Sequence, residues 1–121
     1  MNVLLLAIFI TFFNPPADPQ PVVQWLNDTA YDFGTMEQGV PKSVSFSFKN
    51  ISNQPIVLET TRTTCGCTAA EWTETPIEPG KTGAVTIEYD AYRKGRFKKK
   101  ITVFFDQQRK PEVLWISGTV E

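Results

Sequence analysis

The sequence predicts an all-β domain, an immunoglobulin-like antiparallel β-sandwich of about seven strands. Short apolar runs recur from Val22 onward, separated by turn residues at intervals of roughly 8–15 residues. Within these runs apolar and polar residues alternate, which is typical of strands with one buried face. No segment keeps a helical period long enough to predict a helix. Short strands at this spacing, in a domain of about 100 residues, favour the sandwich.

Each strand is predicted from its alternation and from the turn residues that bound it. The clearest case is the third strand, in which Val44, Phe46 and Phe48 alternate with serines. The predicted strands cover residues 22–26, 29–33, 43–48, 56–61, 85–89, 97–105 and 113–120. Glycine, proline and asparagine mark turns at residues 36–41, 50–55, 79–83, 92–95 and 107–111.

The same parity predicts which residues form the core. The inward-facing set is Phe46, Phe48, Val85, Ile87, Ile101 and Val103, each with polar neighbours. Phe33 is predicted to enter the core, with Asp32 capping a turn at Gly34. Trp115, within the last strand, is also predicted to be a core residue.

The first residues are predicted not to belong to the fold. Residues 3–13 read VLLLAIFITFF, an apolar run with a single threonine. It is shorter than the roughly 20 residues that cross a bilayer, and it fits the apolar region of a secretory signal. We therefore predict a signal peptide at residues 1–17, which would act as a membrane anchor if uncleaved. Residues 18–21 end a proline-rich linker, and the domain occupies residues 22–121; the expected location is the periplasm or cell envelope.

Composition excludes several function classes. The chain has 121 residues, with 12 Lys and Arg, 13 Asp and Glu, and no histidine. A net charge of −1 gives no general attraction to nucleic acid, so no nucleic-acid partner is predicted. Because histidine is absent, no nucleophile–base–acid set can be assembled in the usual way. We therefore predict no catalytic residues and no cofactor. A non-enzymatic protein is favoured, and enzyme activity is left open. The expected partner is another envelope protein, and no oligomeric state is predicted.

Cys65 and Cys67 are the only cysteines, and they flank Gly66 in a stretch that interrupts the predicted strands. Residues two apart in a strand point to the same face, so the two sulfurs should lie close together. Four interpretations are open: a readily reduced, redox-active disulfide, a thiolate pair for a soft metal such as Cu(I), pairing with a partner protein, and two small structural cysteines. Zinc is disfavoured because it usually takes four ligands.

Two further features are candidate binding residues. Residues 93–100 form the one charge run, in which Arg93, Lys94 and Arg96 could contact an anionic polymer or surface. The alternative is a solvated hairpin whose lysines protect an edge strand. Trp72 follows the cysteines in a predicted connection and is the tryptophan expected to be most exposed.

The chain carries an ordered set of short motifs: DFGT at residues 32–35, Glu37, Gly39, FSFKN at 46–50, CGCT at 65–68, Trp72, PIEPG at 76–80, Gly95, FKK at 97–99 and ISG at 116–118. In order and spacing this set resembles the bacterial domain-of-unknown-function family DUF1573, common in Bacteroidetes-type bacteria. The resemblance covers roughly residues 29 to 120. It implies an immunoglobulin-like sandwich similar to Hydin-like and major-sperm-protein-like domains, and an envelope location, but no activity. Many members look like lipoproteins, whereas this chain has no cysteine directly after its apolar run.

We therefore expect an exported envelope module that binds or spaces other proteins, because no catalytic set is present and strand edges can accept a partner strand. The alternative is a thiol redox or copper-handling protein that uses Cys65-Gly66-Cys67. In either case the membrane would be reached only through an uncleaved N-terminal segment.

Overall fold

The alternating runs form eight β-strands in a computed structural model that describes residues 20–121. The strands are β1 (Val23–Trp25), β2 (Ala30–Met36), β3 (Lys42–Asn50), β4 (Leu58–Thr63), β5 (Thr68–Trp72), β6 (Thr82–Tyr89), β7 (Gly95–Phe105) and β8 (Glu112–Val120). The predicted all-β sandwich is confirmed. The predicted signal peptide at residues 1–17 and the first half of the predicted linker lie outside the described residues. No helix within residues 20–121 is long and apolar enough to cross a membrane.

The strands form two four-stranded sheets. The first sheet has the order β1-β3-β6-β5, and the second has the order β2-β8-β7-β4. All pairs in the first sheet are antiparallel, but β2 runs parallel to β8 in the second. The sandwich within residues 20–121 is therefore antiparallel except at this one pair. Since β2 and β8 are neighbours in the sheet but far apart in the sequence, no hairpin joins them and constrains their relative direction.

The predicted core is confirmed at all six positions, each of which is 0–1% exposed. Phe48 connects the two sheets, because its ring meets Phe105 of β7 edge to face, with centroids 5.1 Å apart. On its other side the ring meets Trp25 of β1 at 5.5 Å. Aromatic pairs in this geometry add to the stabilisation from burial, so Phe48 is a central contact of the sandwich.

The cysteine segment contains a strand that the sequence did not predict. Residues 68–72 form β5, which pairs in unbroken register with β6. The preceding strand, predicted at residues 56–61, begins later, at Leu58, while Ile56 makes a single bridge to Ile77. The count is therefore eight strands.

In β8 the predicted facing of Trp115 is wrong. Leu114 and Ile116 are fully buried, so Trp115 lies on the opposite, outer face. There its ring centroid is 4.9 Å from the ammonium nitrogen of Lys98, a cation–π contact. The strand carries apolar residues on both faces, and the branched aliphatic side chains occupy the core.

Gly34 forms a bulge in β2. Its φ of +69° lies in the left-handed region, and the register with β8 shifts between Asp32 and Thr35. The predicted cap is present, since the backbone N–H of Gly34 donates to Oδ1 of Asp32 at 2.8 Å. Phe33 is half-buried and packs against the core.

Candidate functional site

The cysteine turn joins the two sheets at one side of the sandwich. It connects β4, an edge strand of the second sheet, to β5, an edge strand of the first. The two edges therefore lie on the same side of the domain, and Cys65 and Cys67 are located where they meet.

Cys65 and Cys67 are joined as a disulfide. Their Cα atoms are 5.2 Å apart, closer than the roughly 6–7 Å of an extended chain and within the usual range for a disulfide. The turn that shortens this distance is closed by the N–H of Thr68, which donates to the carbonyl of Cys65 at 3.2 Å. The backbone N–H of Cys67 also donates to the Cys65 sulfur at 3.2 Å. Both cysteines are half-buried, so the disulfide borders solvent.

The disulfide lines a cavity of about 330 Å³, which we call the cysteine pocket. Its walls are Thr64, Cys65, Gly66, Cys67, Tyr89, Asp90, Tyr92, Arg93 and Lys99. Two cations and one carboxylate therefore line the same cavity as the sulfurs. The volume is at the lower end of the range for small-molecule sites.

The segment after β6 forms one wall of this pocket and is tightly fixed. The N–H of Asp90 donates to the carbonyl of Cys67 at 3.0 Å, and the N–H of Tyr92 donates to the Asp90 carboxylate at 3.0 Å. Ala91, between them, is fully buried with a φ of +56°, in the left-handed region that alanine rarely adopts. Its carbonyl accepts the N–H of Gly39 at 2.8 Å. Tyr92, which lines the same pocket as the disulfide, is 75% exposed.

Lys99 is a pocket residue that sequence reasoning missed. It shares strand parity with Phe97 and Ile101, both buried, and so faces the interior side of β7. It is half-buried and lines the cysteine pocket. The sequence did contain a sign of this role, since Lys99 is the one charged residue among the alternate, inward-facing positions of β7.

Tyr89 is the one buried residue in the lining of the pocket. Its ring stacks on Phe97 with centroids 3.8 Å apart, and the residue is 3% exposed. Burial, with a contribution from the neighbouring Asp90 carboxylate, raises the pKa of the Tyr89 hydroxyl, and Arg93 partly offsets this.

The three basic candidate residues differ in the cavities that they line. Arg93, Lys94 and Arg96 are all exposed, but of these only Arg93 lines the cysteine pocket. Arg96 borders a different, open depression of about 550 Å³ on the second sheet, together with Asp32 and Lys98. Arg93 and Arg96 therefore border different depressions of the surface.

Trp72 was predicted to lie in an exposed connection, but in the structure it lies in a strand. It ends β5, opposite Val85, and is half-buried against the core. The alternating pattern of β5 places Ala70 and Trp72 on the inner side, whereas Ala69 and Glu71 face outward. The strand is short and rich in alanine, so its alternation gave little hydrophobic signal.

Alternate residues of β5 direct their backbone groups away from β6. Beyond the two ends of the strand, Asp90 N–H donates to the Cys67 carbonyl at 3.0 Å and Thr73 N–H donates to the Ala84 carbonyl at 3.1 Å. Since the register between them is one to one, the odd-numbered residues of β5 are those bonded to β6. The N–H and C=O of Ala70 therefore point to the open edge of the sheet.

Metal-ligand clusters were a further possibility for the cysteines. Within residues 20–121, no group of three or more His, Cys, Asp or Glu side chains is arranged to hold a metal ion. The two sulfurs are bonded to each other in the structure.

These features define an immunoglobulin-like β-sandwich domain. PapD-like domain 7 of human CEP192 is similar over 93% of this chain and 95% of that one, with a TM-score of 0.74 and 12% identity. The Caenorhabditis elegans protein SSP-19, an MSP-domain protein, is similar over 76% and 94%, with a TM-score of 0.52 and 15% identity. At these identities the similarity concerns the fold alone.

The chain belongs to the family described as "Protein of unknown function (DUF1573)", whose model matches residues 24–120. The family resemblance found in the motifs is thereby confirmed. A protein of unknown function from Porphyromonas gingivalis W83 is similar over 81% of this chain, with a TM-score of 0.69 and 18% identity. The match covers 46% of that structure, so this chain spans about half its length. The search of curated proteins found no match.

Proposed function

We propose that this domain is an exported interaction module of the cell envelope, which binds an extended segment of another envelope protein along β5. An immunoglobulin-like, PapD-like β-domain fits a protein-interaction module. The observation that carries the proposal is the edge of β5. Within residues 20–121 this strand pairs with β6 on one side and with no strand on the other.

Comparison of the four edge strands favours β5. β1 has three residues, which is too short for extended pairing. β2 is interrupted by the bulge at Gly34, and β4 by a register shift between Leu58 and Thr60. β5 is regular over five residues and carries one charge, Glu71, and no proline. Bulges, short length and charges protect natural edges from pairing, and β5 has the least of this protection.

The side chains around β5 define the chemistry of the segment that would bind. On the outer face, Glu71 lies beside β6 residues Thr86 and Glu88, at a shallow depression. On the inner side, Trp72 leaves part of its ring uncovered. Cross-strand neighbours contact each other on each face of a sheet. A matching segment would therefore alternate apolar residues, placed beside Trp72, with basic residues placed beside Glu71.

Export is supported by two independent features. Residues 3–13 have the length and composition of a signal-peptide apolar region. The Cys65–Cys67 disulfide fits the oxidising compartments in which disulfides persist.

Site-specific photocrosslinking in intact cells tests the proposal. A photoreactive side chain at Ala69, which is exposed on β5, should give a covalent adduct with an envelope protein. The matched control is Ser45, exposed on the same outer face but on the interior strand β3. Equal adduct yields from both positions, or none from Ala69, would contradict docking along β5.

A second candidate function is thiol redox or copper handling through Cys65-Gly66-Cys67. The observation that favours it is the half-buried disulfide, which lines a pocket together with Arg93 and Lys99. Intact mass after alkylation of protein taken rapidly from the envelope tests it. A redox role predicts a mixture of reduced and oxidised chains, whereas a purely structural disulfide predicts oxidised chains alone.

A further inference from the structure

We propose that the Cys65–Cys67 disulfide oxidises small anionic thiols that enter the cysteine pocket, with Cys67 accepting the incoming sulfur and Cys65 leaving as the thiolate. This inference rests on the sulfur-based candidate function and is independent of strand docking. It assigns a substrate class, thiols that carry a carboxylate, and a role to each cysteine and to two cations.

The hydrogen bonding of the turn distinguishes the two sulfurs. Cys65 Sγ accepts the backbone N–H of Cys67 at 3.2 Å, so negative charge that develops on this sulfur meets a donor already in place. Cys67 instead packs against the core, and its carbonyl accepts the N–H of Asp90. The better leaving thiolate is therefore Cys65, and attack on Cys67 releases it.

The charges of the pocket favour an anionic thiol. Arg93 and Lys99 are the two cations of its lining, and Asp90 is its one carboxylate. The Asp90 carboxylate accepts the N–H of Tyr92, and the two cations against one carboxylate leave the lining with a net charge of +1, which favours an incoming carboxylate. Cations close to a sulfur also stabilise the thiolate. The cavity of about 330 Å³ suits a small molecule rather than a folded chain.

Reduction of this disulfide does not require the fold to open. The bond spans one intervening residue, so it closes a very small loop and restricts the unfolded chain little. Cys65 and Cys67 can therefore cycle between the two states while the sandwich stays folded.

The exchange balances in two steps. The thiolate of the first substrate attacks Cys67 Sγ; a substrate–Cys67 bond forms as the Cys65–Cys67 bond breaks, and the electron pair leaves on Cys65. A second substrate thiolate attacks the substrate sulfur of this mixed disulfide, and the electron pair leaves on Cys67. Two thiols are oxidised to one disulfide, the protein disulfide is reduced to two thiols, and the two protons lost by the substrates are available to the cysteine thiolates.

Rates of reduction with thiols of opposite charge test the pocket. The full chain is treated with 3-mercaptopropionate or with cysteamine, samples are quenched by alkylation, and the reduced fraction is measured by intact mass. Each rate is divided by that of an unstructured peptide disulfide with the same thiol. We expect the normalised rate for the anionic thiol to exceed that for the cationic thiol by at least about fivefold, since one close charge contact at a surface is worth about 1 kcal/mol.

Matched variants separate the pocket from the net charge. Arg93→Gln with Lys99→Gln should remove most of this preference. Lys94→Gln with Lys98→Gln removes the same charge from neighbouring residues outside the pocket, so this variant should keep the preference for the anionic thiol. Equal preferences in the two double variants would overturn the proposed pocket selectivity. If neither thiol reduces the disulfide, the sulfur-based function itself fails, and strand docking is unaffected.

Single-cysteine variants test the assignment of the sulfurs. In Cys67→Ser the Cys65 thiol keeps the backbone N–H of residue 67, so it should react with iodoacetamide near neutral pH at least about threefold faster than the Cys67 thiol of Cys65→Ser. Equal rates, or a faster Cys67, would overturn the assigned roles. Circular dichroism of each variant verifies that the comparison is made on folded protein.

Discussion

Replacement of Phe48 by alanine should remove the contact that joins β1, β3 and β7. The side chain is fully buried, and its ring meets Trp25 and Phe105 edge to face. Truncation of a buried phenylalanine costs about 3–5 kcal/mol through lost transfer energy and a residual cavity. Since small domains have about 5–15 kcal/mol of stability in total, Phe48→Ala should lose a large part of it.

Urea titration of the full chain, followed by tryptophan fluorescence, gives the free energy of unfolding by linear extrapolation. Phe48→Leu serves as a milder variant, with an expected loss of about 1–2 kcal/mol. The matched control is Phe104→Ala, the same change on the outer face of β7, where the ring lies under the Arg62 guanidinium at 5.4 Å. That control should lose about 1 kcal/mol. A loss for Phe48→Ala no larger than for Phe104→Ala would refute the packing described for the core.

Three further outcomes are expected. Gly83→Ala should cost about 1–3 kcal/mol in the same titration, because its new Cβ would lie 2.6 Å from Cζ of Phe48; an unchanged midpoint would show that the core has free space there. Cys65→Ser with Cys67→Ser should fold, with a loss of about 1–2 kcal/mol, because the disulfide closes almost no loop; an unfolded variant by circular dichroism would contradict this. The raised pKa of Tyr89 favours its neutral form in the fold, so its contribution is present below its ordinary value of 10.0 and is lost as the pH rises through the folded pKa. Unfolding free energy measured across this range should fall less in Tyr89→Phe than in the parent chain; an equal fall in both would remove Tyr89 as the cause.

Most of the fold could be predicted because the strands of the two sheets alternate cleanly. In the middle of β3 and β6 the inward residues Phe46, Phe48, Val85 and Ile87 are large and apolar, and their neighbours are small or polar, so parity alone identified this part of the core. β8 has apolar side chains on both faces, and there parity did not distinguish Trp115 from Leu114 and Ile116. The parallel pairing of β2 with β8 brings together strands from the two ends of the domain sequence, and local alternation provides no signal for such a pairing.

The candidate site was predictable in part. The spacing of Cys65 and Cys67, with one residue between them, indicated that their sulfurs could meet, because contact at this distance depends on local geometry. The pocket also requires Lys99 and the segment from Asp90 to Arg93, which reach it from β7 and from the end of β6. Such a juxtaposition is set by the pairing of strands distant in sequence. The strand β5 was missed because alanines give no clear hydrophobic period.

The measurement that tests docking along β5 most directly is the photocrosslinking yield from Ala69 in two backgrounds, Ala70→Pro and Ala70→Val. The N–H of Ala70 points to the open edge, so proline there removes an edge donor without removing a bond to β6. Valine adds bulk at the same position and keeps the donor. We predict that the adduct with the envelope partner is lost in Ala70→Pro and retained in Ala70→Val, with both variants folded by circular dichroism. An adduct of equal yield in the two variants would contradict binding of an extended segment along β5.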